Sequence, residues 1–252
     1  MNGYQKQLTK YLSLFGLFLF IVQPLQATEW GDLSGQFIYT GKHPAPQKLK
    51  LTKDQSFLIG ENGGIKNICL YLQETKSQDT KIHSSYDKLP QTVFLSHQNS
   101  IYEPHIVGLW YERQQLICIN KDPHAHRIQL YPLRNDFTDQ LPQEINKQRT
   151  FRFQTDENIP VHINCEIHPW ESAYLLVLAH PYFSSTDETG AFTIKNLPVG
   201  DCEFRIWHEM MGYVEAKDEW KRGKIKIKIK PGNNDLGVIK VSPKLLEKSK
   251  SK

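Results

Sequence analysis

The sequence predicts an all-β protein built as one β-sandwich or two, and three observations carry that prediction. Short apolar or alternating runs recur along the 252-residue chain: GQFIYTG, NICLYL, QTVFLS, HIVGLWY, QLICIN, RIQLYP, RTFRFQT, YLLVLA, GAFTIKN, CEFRIWHE, KIKIKIK and LGVIKV. Gly, Pro, Asn and Asp separate them, residues that supply positive φ, a fixed φ or a turn closed by a side chain. The i, i+3, i+4 spacing of an amphipathic helix is scarce. LRNDFTDQLPQE has polar loop composition, with room for one helical turn.

The N-terminus follows a different logic. MNGYQKQLTK carries Lys6 and Lys10 without an acid, YLSLFGLFLFIV is apolar throughout, and QPLQA adds a helix breaker, Pro24, and a small residue, Ala27. That order is the layout of a secretory signal peptide. Its apolar run falls short of the ~20 residues that a membrane span needs. Residues 1–27 are therefore expected to be a signal peptide, cleaved near Ala27, and the mature chain to be periplasmic or secreted; an uncleaved anchor is the alternative. No later stretch is long and apolar enough to cross a membrane, so the mature chain is expected to lack a transmembrane span. The net charge of +4 at pH 7 gives no reason to expect nucleic acid as a partner.

Cys69, Cys118, Cys165 and Cys202 remain for the exported chain. An oxidising compartment permits disulfides, but four cysteines admit three complete pairings and sequence does not choose among them. The plain reading of Cys69, Cys118 and Cys202 is that of small buried hydrophobes. Cys202, Phe204 and Ile206 alternate along one strand and share a face.

In the last third, TDETGAFTIKNLPVGDCEFRIW reads strand, turn, strand. Gly190 takes the positive φ of a tight turn and Phe192 enters the core. KIKIKIK puts Ile225, Ile227 and Ile229 on the core face and Lys224, Lys226, Lys228 and Lys230 in solvent, where they discourage edge-to-edge pairing or dock an acidic partner. The TDETGAF–NLPVG segment resembles the carboxypeptidase regulatory-like, or transthyretin-like, sandwich, whose first strands match LSGQFIYTG and GGIKNICLYL far upstream. The resemblance implies a discontinuous outer β-sandwich, residues 28–73 plus 181–245, that hosts a second β-domain over 74–180, with a frayed tail over 246–252.

Inside the inserted segment, NKDPHAHRI and CEIHPWE stand out. Together they resemble the cupredoxins, which place one histidine after an Asn-x-Asp strand end and a Cys–His loop near the end of the domain. With YEPHIVG, AHPYF and WHE they are similar, more narrowly, to exported bacterial proteins of the methylamine-utilisation or plastocyanin-like type. The implied fold is a cupredoxin-like Greek-key sandwich inserted into a transthyretin-like one. The implied metal ligands are His126, Cys165 and His168, with Glu171 where Met is usual. Two imidazoles and a thiolate suit both Cu(I) and Cu(II); a carboxylate from Glu171 favours Cu(II) and a tetragonal, red-copper-like centre. Arg127 stands where the family commonly has an Asn that braces the Cys loop. Pro169 is expected to stiffen the loop and Trp170 to shield the site.

His105, His124, His162, His180 and His208 crowd the same regions. His124 and His126, two apart, share a face if they lie on a strand. His105 and His180 are expected as buried hydrogen-bonded residues in Pro-flanked turns, and His208 likewise, while His105, His124 or His162 are the candidates for a second metal site. The reading adopted is one mononuclear copper in a one-electron or copper carrier that is not an enzyme, with a redox partner protein or a copper donor or acceptor as its partner. Zinc is the less favoured occupant, since Cys-His₂-carboxylate also suits it. The alternatives are a non-catalytic carbohydrate- or protein-binding sandwich, with Trp30, Trp110, Trp207 and Trp220 as stacking residues, and thiol catalysis by Cys165 with His168 or His162 as base.

Overall fold

The structure, a computed structural model, describes residues 30–42, 59–73, 80–137 and 142–247. The signal-peptide reading falls on residues outside this range, as does most of the 246–252 tail. In chain order the strands are β1 (Trp30–Tyr39), β2 (Cys69–Leu72), β3 (Thr92–Gln98), β4 (Ile101–Glu103), β5 (Ile106–Trp110), β6 (Gln115–Asn120), β7 (Ile128–Tyr131) and β8 (Gln148–Phe151). They continue with β9 (Val161–Cys165), β10 (Ser172–Leu178), β11 (Phe183–Ser185), β12 (Ala191–Pro198), β13 (Gly200–His208), β14 (Gly212–Tyr213), β15 (Lys224–Ile229) and β16 (Gly232–Val241). Lys244–Glu247 adds one helical turn. Among the described residues, no helix is long and apolar enough to cross a membrane.

The fold is all-β. Every apolar run picked out in the sequence forms a strand. The short strands β4, β11 and β14 were not anticipated, because two or three residues are too few to show an alternation.

Two pairs of sheets each enclose a core. Sheet β12-β1-β16 faces sheet β11-β2-β13-β14, in which β15 also pairs with β13. Between them lie Leu33, Phe37, Leu70, Leu72, Phe192, Ile194, Phe204, Ile206, Ile225 and Ile239. Sheet β5-β10-β9-β7 faces sheet β4-β3-β6-β8 around Leu95, Tyr102, Leu109, Leu116, Ile128, Ile163, Leu175 and Val177. β1 runs antiparallel to β12 and parallel to β16.

The continuous apolar runs mark strands buried on both faces, as period-2 geometry requires. Leu70 and Leu72 of β2 point into the first core, while Cys69 and Tyr71 point the other way. Leu175 and Val177 of β10 point into the second core, while Leu176 and Leu178 turn outward. These outward residues meet Cys69, Tyr71, Ile106, Phe183 and Trp207 in a third cluster that joins the two sandwiches. Gly108 makes the join possible, because a Cβ there would lie 1.9 Å from the Phe183 ring.

Asp187 Oδ1 accepts from the Thr189 amide at 2.8 Å and the Ala191 amide at 3.1 Å, which closes the predicted turn with Gly190 at φ 78°. Ile225 and Ile229 are buried and Lys224, Lys226, Lys228 and Lys230 exposed, as their alternation requires. All four cysteines are free; Cys69, Cys118 and Cys165 are buried and Cys202 is half-buried.

Candidate metal centre

Strand register assembles the site. Cys165 ends β9 directly opposite Ile128, the first residue of β7. His126 stands just before β7, so pairing of the two strands carries its ring to the sulfur. The loop from β9 to β10 folds back on itself. The amide of Glu166 donates to the Arg127 carbonyl at 2.9 Å, that of Glu171 to the His168 carbonyl at 2.9 Å, and that of Cys165 to the Glu171 carbonyl at 3.2 Å. Backbone bonds thus brace the loop where the cupredoxin pattern uses an Asn side chain. Arg127 itself points to solvent and reaches Glu166 at 3.5 Å.

Four predicted residues converge. Cys165 Sγ lies 3.5 Å from His126 Nδ1 and 3.6 Å from His168 Nδ1, and the two Nδ1 atoms are 3.3 Å apart. Glu171 Oε2 lies 3.3 Å from His126 Nδ1 and 3.4 Å from His168 Nδ1. A tetrahedral ion with metal–N distances of about 2.0–2.1 Å and a metal–S distance of about 2.3 Å separates its donor atoms by about 3.3–3.6 Å. The measured separations have that size. Glu171 is 2 % exposed and turned inward.

The first imidazole is locked from behind. His126 Nε2 donates to Asp122 Oδ2 at 3.0 Å, which leaves Nδ1 to face the sulfur. Asp122 is itself held by the amides of Asn99 and Ser100, in the two-residue turn between β3 and β4. Both turn residues have positive φ, 57° and 59°, the signature of a type I′ hairpin. Buried Asn120 fixes the same loop: its side-chain NH₂ donates to the carbonyls of His124 and Gln143, and its oxygen accepts from the Asp122 amide.

The electrostatics favour a cation. Burial pushes the Cys165 thiol up, but His126 and the backbone groups of Arg127, His168 and Ile167 outweigh it and hold the thiol below its ordinary value. Burial acts the same way on Glu171, and the rings of His126 and His97 overcome it, so the carboxyl sits well below the usual range. Burial opposes protonation of His126, yet Cys165 and Glu171 raise its pKa to about 9. One sulfur and two carboxyl groups, each held below its ordinary pKa, thus surround one imidazole.

His97 completes the cluster and was not singled out from sequence. It is 1 % exposed on β3, stacked on Tyr102 at 4.0 Å and tilted against His126 at 3.6 Å between ring centroids. Its Nε2 lies 2.8 Å from Glu171 Oε2. The N–H is not aligned with that oxygen, and no aligned hydrogen bond reaches either ring nitrogen of His97 or either oxygen of Glu171. Buried polar atoms left in this state point to a missing partner. Burial lowers the His97 pKa, which Glu171 only partly offsets. Asp122 was quoted as part of NKDPHAH without a role; its cue was the spacing to His126, an i, i+4 pair.

Of the other described histidines only His124 borders the site, with its ring 4.7 Å from that of His126 and 5.4 Å from that of His168. His124 and His126 do not share a face: the segment is loop, His126 is buried and His124 exposed. His162 alternates away from Cys165 along β9 and stacks with Tyr131 and Tyr174. His105 is buried against Glu209 at 2.5 Å, and His180 is buried between the Leu72 carbonyl and the Tyr182 amide. His208 is fully buried. Trp170 does not cover the site: it is 49 % exposed and lies beside the half-buried His168 ring at 5.5 Å. Trp110 and Trp220 are buried and Trp30 and Trp207 half-buried, so they present no shared stacking face. Cys165 is inaccessible to a substrate carbonyl, being 0 % exposed.

No protein-family model and no curated protein matches the chain. Among solved structures it is similar to a purple cupredoxin from Nitrosopumilus maritimus, with 15% identity over 35% of this chain and 100% of that one and a TM-score of 0.29. It is similar to a reduced amicyanin variant, with 10% identity over 43% of this chain and 98% of that one and a TM-score of 0.30. It also resembles part of a copper-containing nitrite reductase from Thermus scotoductus SA-01, with 10% identity over 42% of this chain and 25% of that one and a TM-score of 0.30.

Proposed function

We propose that this chain is an exported copper protein in which His126, Cys165, His168 and Glu171 hold one mononuclear ion, and that it carries single electrons or copper itself. The observation that supports it best is the set of donor separations, 3.3–3.6 Å, among two Nδ1 atoms, one sulfur and one carboxylate oxygen. Copper supplies the Cu(I)/Cu(II) couple. The chain supplies everything else.

Cys165 offers a soft thiolate and the two imidazoles borderline nitrogens, a set compatible with both oxidation states. Glu171 adds a hard oxygen that favours the divalent ion. Asp122 fixes the His126 tautomer, as an outer carboxylate does in many metal sites. His168, the one ligand with a solvent-facing edge, is the route by which an electron or an ion enters and leaves. The same reading assigns the inserted stretch to a cupredoxin-like domain, the flanking stretches to the transthyretin-like sandwich, and a carrier rather than catalytic role to a lone mononuclear site.

The test is addition of Cu(II) to the purified protein. An intense thiolate-to-copper absorption band that Cys165→Ser abolishes is expected; a colourless complex, or none, would sink the proposal. Zinc is the second reading, because near-equal donor separations are its ordinary geometry. Metal analysis of protein taken from its native compartment separates the two.

A further inference from the structure

His97 lies outside the ligand set, yet it is the polar side chain nearest to Glu171. Its Nε2 approaches Oε2 to 2.8 Å, whereas the donor atoms stand 3.3–3.6 Å from one another. The shorter distance is too close for two ligands on one ion; it lies within hydrogen-bond reach, although the N–H is not aligned with Oε2 in this geometry. The ring has no room to leave: Tyr102 lies against one side and His126 against the other. Strand register fixes it there, since His97 pairs with Tyr102 across the β3–β4 hairpin and with Asn120 on β6. Before a metal arrives, a buried carboxylate needs a donor or it turns away. His97, outside the ligand set, stands within hydrogen-bond distance of it at 2.8 Å.

We infer that His97 is a positioning residue that keeps Glu171 turned into the centre, and that it thereby sets the preference of the centre for a divalent ion over Cu(I). The inference rests on the metal-site reading above. Cu(I) is satisfied by the thiolate and two imidazoles and gains little from a hard oxygen, whereas Zn(II) and Cu(II) gain a full ligand. Without His97 the carboxylate has no fixed direction and only divalent binding suffers.

The experiment is a pair of competition titrations, Zn(II) and Cu(I), on the full chain and on His97→Phe, His97→Gln, Glu171→Gln and the His97→Phe/Glu171→Gln double variant. His97→Phe keeps the stacked ring without its nitrogens and is expected to weaken Zn(II) by about 10–100-fold while Cu(I) binding stays put. For Cu(II) the same loss raises the reduction potential by about 60–120 mV, at 59 mV per tenfold for one electron. His97→Gln, whose amide nitrogen replaces Nε2, is expected to restore the native preference. The double variant is expected to be no weaker than Glu171→Gln alone. Equal losses of Zn(II) and Cu(I) in His97→Phe, or additive losses in the double variant, overturn the inference. If His97→Phe does not fold, His97→Leu takes its place, with thermal unfolding of the metal-free variant as the check. A native protein that binds neither ion refutes the metal site itself, a result distinct from failure of the His97 role.

Discussion

Asp122 Oδ2 receives the Nε2 proton of His126 at 3.0 Å, and this contact decides which nitrogen His126 offers to Cys165. Burial pushes the pKa of Asp122 up, but the amides of Ser100 and Asn99 and the His126 ring together outweigh it and hold the carboxyl below its ordinary value. A hairpin turn on β3–β4 thus controls the orientation of a ring on the opposite sheet. Asp122→Asn is expected to weaken Zn(II) binding by about 10–100-fold. Competition titration checks it, and an unchanged affinity would mean that the loop alone orients the ring.

The join between the sandwiches is equally specific. Gly108 faces Phe183, and a Cβ at 108 would come within 1.9–2.4 Å of three ring carbons. Gly108→Ala is expected to destabilise the chain by about 1–3 kcal/mol, the usual cost of overpacking. Combining it with Phe183→Leu should recover part of that loss. Urea unfolding of the three variants reads the effect, and additive losses in the pair would show that the two residues do not meet.

Acid should weaken the metal-free protein through two histidines remote from the ligand set. Burial lowers the pKa of His180 from 6.5 to about 4 and that of His208 to about 3. Both rings are neutral in the native state, whereas the unfolded chain binds a proton below its own pKa of 6.5. Stability therefore falls as the pH drops from 6.5 toward 4. Between pH 7 and pH 5 each ring contributes a loss of about 2 kcal/mol. His180→Gln should flatten the dependence by that amount, whatever it does to stability at pH 7. An unchanged slope in urea unfolding across the two pH values would count against the assignment.

Much of the site was legible because its chemistry is local. Cys165, His168 and Glu171 lie in one short loop, while His126 was picked out of NKDPHAH, which also holds His124, by its resemblance to the cupredoxin pattern. What stayed hidden came from tertiary register. Nothing in QTVFLSHQNS distinguishes His97 from any strand-end histidine, because its meaning depends on Glu171, a partner from a distant loop. Asp122 was visible, but its task required knowing that Asn99 and Ser100 would turn two amides toward it. For His124 the alternation rule did not apply, because it holds for strands and the backbone there is loop; its ring nevertheless lies 4.7 Å from that of His126. The long strands were readable from alternation, whereas β11 and β14 exist only because neighbouring strands offer them partners.

The pairing of β1 sets an order of events during synthesis. Its partners are β12 and β16, with Trp30 opposite Pro198 and Gly31 opposite Gly232. Residues 63–65 bridge to the end of β1, with Ile38 opposite Gly64, but among the described residues its strand partners β12 and β16 emerge only after most of the polypeptide has been made, and closing so long a loop is slow. The stretch from Thr92 to Leu178 holds both sheets of the other sandwich in one uninterrupted segment. That segment is free to assemble first. Cys165 and the rings of His126 and His168 then come together while the first strand still waits for its strand partners.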